Sequence, residues 1–152
     1  MEVDLIGRLR ANISQVLAGQ PVMLAYLYGS AATGHMGPSS DVDIGIVFNS
    51  NTGLSAYERM QMEFRIASEI ERSCGIQEAD VRGIDNAPLT VQGEVVTEGI
   101  LLYSRDEEFR VDYEVHTRKY YFDFLPVVQM MRHSFLQQLR EEGFRHGKAR
   151  QG

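Results

Sequence analysis

Two apolar runs separated by a polar gap restrict this chain more than any other feature. "VMLAYLY", Val22 to Tyr28, is apolar at nearly every position and is bounded by Pro21 and Gly29, the pattern of a strand covered on both faces. "DVDIGIVF", Asp41 to Phe48, alternates instead. Val42, Ile44, Ile46 and Phe48 fall on one face, and Asp41, Asp43, Gly45 and Val47 on the other. The first face is core; the second begins with two acids.

The flanking segments supply helices to cover these strands. Leu5, Ile6, Leu9, Ile13, Val16 and Leu17 recur every three to four residues, which places one apolar stripe on a helix ending near Gly19. After the turn "NSNTG", the residues Leu54, Tyr57, Met60, Phe64, Ala67 and Ile70 predict a long amphipathic helix closing near Gly75. "EADVRGID" reads as a third strand weakened by Gly83, followed by a helix from about Leu89 to Glu98 and a short strand "ILLYS". From Asp106 onward the pattern is helical, with Pro126 expected to divide two segments. The layout is α/β, a small mixed sheet flanked by helices with a helical C-terminal segment.

At 152 residues the chain can bury one sizeable core but not two ordinary ones, and it shows no repeat or linker. One domain over residues 1–142 is expected, with 143–152 as a flexible basic tail containing Arg145, Lys148 and Arg150. No apolar run approaches the roughly 20 residues needed to span a bilayer, and "MEVDLIGRLR" is unlike a signal peptide. A soluble cytoplasmic protein with no membrane association is the expectation. The net charge of -6 argues against stable binding to nucleic acid, which needs clustered Lys and Arg. The lone Cys74 reads as a reduced cysteine at a helix end with no chemical role.

The polar gap and the two acids together carry the chemistry. Carboxylates at i and i+2 on a strand leave one face with Cα atoms roughly 6.5 to 7 Å apart. That spacing suits hard divalent cations such as Mg²⁺, which share oxygen ligands with phosphates, and paired metals about 3.5 to 4 Å apart favour in-line displacement at phosphorus. Gly29 lets the backbone approach a bulky anion, Ser30 adds a hydroxyl, and "SAATG" can open a helix whose free N–H groups favour phosphate. A phosphate site would then face a metal site.

This Gly29-Ser30 followed at such spacing by Asp41-Val42-Asp43 resembles the signature of the DNA polymerase β-like nucleotidyltransferase superfamily. The resemblance implies that fold, with Gly29, Ser30 and Ser40 binding the nucleotide and Asp41 and Asp43 holding Mg²⁺, two ions in all. It also implies a third carboxylate on a neighbouring strand, catalytic and metal-binding with the other two. Asp80 in "EADVRGIDNAP" is the preferred counterpart because it begins its strand as Asp41 does; Asp85, at the strand's exit before Asn86, competes. "VVTEGILLYSRDEEF" and "VDYEVHTRKYYFDFLPVV" are similar to the C-terminal half of minimal nucleotidyltransferase (MNT) antitoxins, partners of HEPN toxins. By that resemblance the chain transfers AMP from ATP to a tyrosine of a HEPN toxin, forms a hetero-oligomer with it, and is the antitoxin of a type VII-like pair. Where relatives often carry Arg-Gly, this chain has Thr33 before Gly34, so an arginine contact to phosphate is missing.

Two other functions fit the same residues less well. An antitoxin acting by binding alone would not need the acid set, and a transferase for aminoglycoside-type small molecules would need a second enclosing domain. "RVDYEVH" and "REEGFRH" fit the loose Arg-to-His spacing of HEPN ribonucleases but read as solvated helical charges, and His35 reads as an exposed loop residue. The aromatics Tyr113, Tyr120, Tyr121, Phe122 and Phe124 read first as packing residues, and as a candidate partner surface.

Overall fold

The computed structural model describes residues 2–33 and 41–151, with side chains over 5–32 and 41–143. Ser40, Gly34 and His35, discussed above, lie outside the described residues. Helix α1 (Glu2–Leu17) leads into strand β1 (Val22–Tyr28), the short helix α2 (Ser30–Thr33) and strand β2 (Val42–Phe48). Helix α3 (Ala56–Cys74), strand β3 (Ala79–Gly83), helix α4 (Leu89–Glu98), strand β4 (Ile100–Ser104) and helix α5 (Glu107–Gln151) follow.

The strands form one mixed sheet in the order β3-β2-β1-β4. β1 pairs antiparallel with both β2 and β4, whereas β2 and β3 run parallel. This order brings the end of β1 next to the beginnings of β2 and β3. Each face of the sheet has its own apolar layer. Leu9, Ile13 and Leu17 of α1 and Ile66, Ile70 and Cys74 of α3 pack with Val42, Ile44, Ile46 and Phe48 on one face. On the other, Leu24, Tyr26 and Val47 pack with Val95 and Val96 of α4 and with Phe109 and Tyr113 of α5. The alternation along β2 is the one its sequence dictates, and it leaves Asp43 and Gly45 on the α4 and α5 side.

Helix α3 departs from its expected stripe. Ser55 caps it through a reciprocal capping box with Glu58, and Gly75 ends it in the left-handed conformation. Its buried residues are Ile66, Ala67, Ile70 and Cys74, while Tyr57, Met60 and Phe64 are exposed. The apolar stripe of its first half lies at the exposed surface, and this half meets the sheet instead through Arg59 over the Phe48 ring, the partly buried Met62 and Glu63 at the Gly83 amide. The third strand is also shorter than its sequence suggests: the chain leaves the sheet at Ile84, and Asp85 and Asn86 form a turn.

Polar side chains lock the helices to the sheet. Arg105 donates to the carbonyls of Leu17, Ala18 and Gln20, satisfying the end of α1. Cys74 is buried, and its carbonyl accepts from Arg8 Nη1 at 3.0 Å. On the opposite layer the buried Glu114 of α5 accepts from the Tyr26 hydroxyl at 2.9 Å and from Arg110 Nη1 at 2.9 Å, with Arg118 Nη1 3.5 Å away. Burial and the hydrogen bond to Glu114 push the Tyr26 phenol above its ordinary range. Two amides of β3 are also capped, Ala79 by Glu71 and Gly83 by Glu63.

Helix α5 is continuous through Pro126 and does not divide there. Proline removes one bond to the carbonyl of the residue four earlier. That residue, Phe122, is exposed, so water can take the vacated position. The backbone is helical to Gln151, past the residue 142 at which the sequence suggests a tail. No helix among the described residues is long and apolar enough to cross a membrane.

Removing the Glu114 carboxylate leaves the buried Tyr26 hydroxyl without its acceptor and takes from the partly exposed Arg110 one of its two carboxylate partners, the other being Glu107. Glu114→Ala should therefore lower stability by about 3 to 5 kcal/mol, whereas Glu114→Gln, which still offers an oxygen to Tyr26, should cost less. Denaturant unfolding of the two variants beside the parent checks the ranking.

Candidate active site

The carboxylate row is built by strand register. Asp43 on β2 lies opposite Tyr28 on β1 and opposite Asp80 on β3. Tyr28, Asp43 and Asp80 thus form a line across three strands on the α4 and α5 face. Asp41, two residues before Asp43, belongs to that face by alternation and lies at the exposed edge. The chain turns away from β1 at Gly29, whose φ of 73° is left-handed. A Cβ added at Gly29 would sit 2.7 Å from Asp43 Oδ2, so glycine is needed for space as well as for conformation. Ser30 opens α2 directly after it.

Burial and neighbouring charge act together on Asp43. Burial, then the charges of Asp80 and Asp41, push the Asp43 carboxyl above the ordinary aspartate range, with Arg82 opposing. Tyr28 is raised by burial and then by the charges of Asp43 and Asp80. Its ring packs against Gly45, where an added Cβ would lie 3.4 Å from Tyr28 Cε1 and 2.9 Å from Ile84. Asp80 is paired with Arg82, its Oδ1 accepting from Nε at 3.3 Å and its Oδ2 lying 3.2 Å away.

Glu78 is a fourth acid at this edge, and sequence reasoning did not single it out. Asp41 raises its pKa through charge and through a hydrogen bond between the two side chains. Glu78-Ala79-Asp80 on one strand repeats the spacing of Asp41-Val42-Asp43 on its neighbour, a signal visible once the two strands are known to be parallel. Tyr28 and Arg82 were not foreseen either, because only the register brings them to the acids.

The two candidates for the third carboxylate stand in different surroundings. Asp80 stands in register with Asp43. Asp85 points elsewhere: its Oδ1 accepts from Arg59 Nη2 at 2.7 Å and from the Phe48 amide at 3.5 Å. Arg59 in turn lies 4.3 Å from the centre of the Phe48 ring. Asp85 is a fastener between α3, β2 and the turn after β3.

Among the described residues no group of three His, Cys, Asp or Glu side chains is gathered tightly enough to hold a metal ion as it stands. The donor set still fits a hard cation. Asp41, Asp43 and Asp80 offer acidic oxygens only, and the mutual repulsion that raises Asp43 is what a bound cation relieves. Gly29 keeps the backbone close to the same carboxylate.

A family model for "Polymerase beta, Nucleotidyltransferase" matches residues 11–108, from within α1 to the first turn of α5. The chain belongs to this family. It is a nucleotidyltransferase by that membership, with the polymerase β-like fold that its Gly-Ser to Asp-x-Asp spacing implies. No curated protein matches it. Among solved structures, a chain of a toxin–antitoxin crystallised with AMP-PNP is 22% identical, covers 91% of this chain and 97% of its own, and has a TM-score of 0.55. A chain of the tri-AMPylated Shewanella oneidensis HEPN toxin in complex with MNT antitoxin is 18% identical, covers 88% and 98%, and has a TM-score of 0.59. A mutant of the toxin–antitoxin MntA–HpeT is 19% identical, covers 86% and 97%, and has a TM-score of 0.60. At such identities these likenesses show a shared fold.

The raised pKa of Asp43 fixes the sign of a pH effect. Its protonated form is favoured by the fold, so its contribution to stability is complete below the ordinary aspartate pKa, about 4, and is lost as the pH rises through the higher folded value. In metal-free buffer Asp43→Asn should therefore raise the melting temperature at neutral pH and lose that advantage in acid. Asp85→Ala should instead lower it, by an amount corresponding to about 1 to 3 kcal/mol, by leaving Arg59 without its partner. Thermal melts of both variants across pH check the two opposite signs.

Proposed function

We propose that the chain transfers AMP from ATP to a tyrosine hydroxyl of a HEPN toxin, with Mg²⁺, and is the antitoxin of that pair. The observation that carries the reading is the juxtaposition of Gly29 with Asp43, where an added Cβ would fall 2.7 Å from the carboxylate, together with the Asp43–Asp80 register. The glycine turn after β1 and the row of acids meet at one carboxylate. The fold shared with a chain of an MNT antitoxin complex holding an AMPylated HEPN toxin supports the acceptor and the partner.

Asp41, Asp43 and Asp80 would hold the magnesium, which when bound supplies positive charge against the triphosphate and the developing charge of transfer. Gly29 and Ser30, with Ser40 beyond the described residues, position the β and γ phosphates. Asp80 takes the proton of the acceptor hydroxyl as its oxygen forms a bond to the α phosphorus; the bond from that phosphorus to the bridging oxygen breaks, and pyrophosphate leaves. Arg82 holds Asp80 in place through its hydrogen bond. Tyr28, packed against Gly45, closes one side of the row against solvent.

A second reading has its own support. Phe124, Met131 and Phe135 of α5 are exposed, so a partner could be held and silenced through that helix without transfer. Co-expression with a HEPN-family toxin separates the two. Intact mass of the toxin should rise by one or more AMP units, Asp41→Asn/Asp43→Asn should abolish the gain by at least about a hundredfold, and cells carrying that variant should lose protection although the complex still forms. Unmodified toxin together with full protection by the variant would establish binding alone.

A further inference from the structure

A cavity of about 310 Å³ opens beside Gly29 on the side away from Asp80, a size at the lower end of small-molecule pockets, roughly 300 Å³. Tyr28, Val91 and Val95 give it an apolar wall, and Glu94 and Glu98 also line it. The two glutamates stand four residues apart on α4, one above the other on a helix, and both are exposed. Strand order explains its position. Taking Asp43 on β2 as the centre, β3 lies on one side with Asp80, and β1 on the other with Tyr28 and Gly29. Helix α4 ends against that second side, its chain passing through Gly99 into β4, which pairs with β1.

From this arrangement we infer that the cavity takes the purine base of the nucleoside triphosphate, and that Glu94 and Glu98 select a base carrying an exocyclic amino group. The inference rests on the nucleotidyltransferase reading and adds to it the place and the side chains that choose the base. Three features support it. The apolar wall of an aromatic ring and two valines suits a flat ring system and offers phosphate nothing. Carboxylates accept hydrogen bonds and do not donate them, so they repel the triphosphate but pair with an amino group. The cavity shares Gly29 with the proposed phosphate site, which keeps base and phosphates of one nucleotide within a single molecule's reach. Adenine presents its N6 amino group as a donor at the position where hypoxanthine presents a carbonyl oxygen, and two acceptors facing each other are unfavourable.

The test is equilibrium binding, with Mg²⁺ present, of three probes: non-hydrolysable analogues of ATP and of inosine triphosphate, and inorganic tripolyphosphate. The adenine analogue should bind at least about tenfold more tightly than the inosine analogue. In Glu94→Ala/Glu98→Ala the two should converge while tripolyphosphate affinity stays within about twofold, and because both side chains are exposed the melting temperature should be unchanged. Equal binding of the two analogues by the parent chain, or a preference that survives the double substitution, overturns the base site but leaves the transferase reading intact when tripolyphosphate still binds. Failure of all three probes to bind overturns both.

Discussion

Asp43 faces Asp80 across two parallel strands, with Asp41 and Glu78 at the same edge, and this gathering of like charges is the condition the rest of the fold must satisfy. Asp41 and Glu78 share a hydrogen bond and Arg82 offsets part of the repulsion at Asp80, while burial and then the charges of Asp80 and Asp41 still push the Asp43 carboxyl up. The strands are kept in place from beneath. Ile44, Ile46 and Phe48 alternate with Asp43 and Gly45 along β2 and lie in the apolar layer closed by α1 and α3. Burial of this layer, at roughly 25 cal/mol per Å² of apolar surface, stabilises the register that the carboxylates alone would oppose.

The opposite layer is organised around fewer and more polar contacts. Tyr26 and Tyr28 follow one another on the same face of β1, the first tied to Glu114 of α5 and the second packed over Gly45. Gly93 on α4 permits the close approach of α5, since an added Cβ there would run into the Tyr121 ring. The Tyr113 hydroxyl donates to Gln92 Oε1 at 2.8 Å, linking the same two helices. Helices α4 and α5 are thus fixed to each other and to the strand that carries the row.

Much of this was legible in the sequence, and the exceptions share a cause. The faces of β2, the apolar stripe of α1 and the glycine turn follow from local periodicity, which does not depend on what lies across the sheet. Strand position favours Asp80 over Asp85 in the sequence, whereas the Arg59 pairing that engages Asp85 elsewhere is visible only in the structure. Tyr28, Glu78 and Arg82 join the site through pairing between strands distant in sequence, which no window of residues reports. The stripe Tyr57, Met60, Phe64 looked like core because spacing records which residues share a face but not whether anything covers it. Pro126 read as a break because its cost was judged without the exposure of Phe122.

The two glutamates that cap β3 from α3 give the sheet a property of another kind. An outer strand normally offers unpaired amides that can recruit a further strand from another molecule. Here Glu71 and Glu63 occupy the amides of Ala79 and Gly83, so two of the outward amides of β3 are already engaged and growth by backbone pairing is opposed on the side of the sheet nearest the acids. A macromolecule approaching Asp80 from that side meets side chains, and its recognition rests on their chemistry instead of on the sequence-blind hydrogen bonding by which strands aggregate.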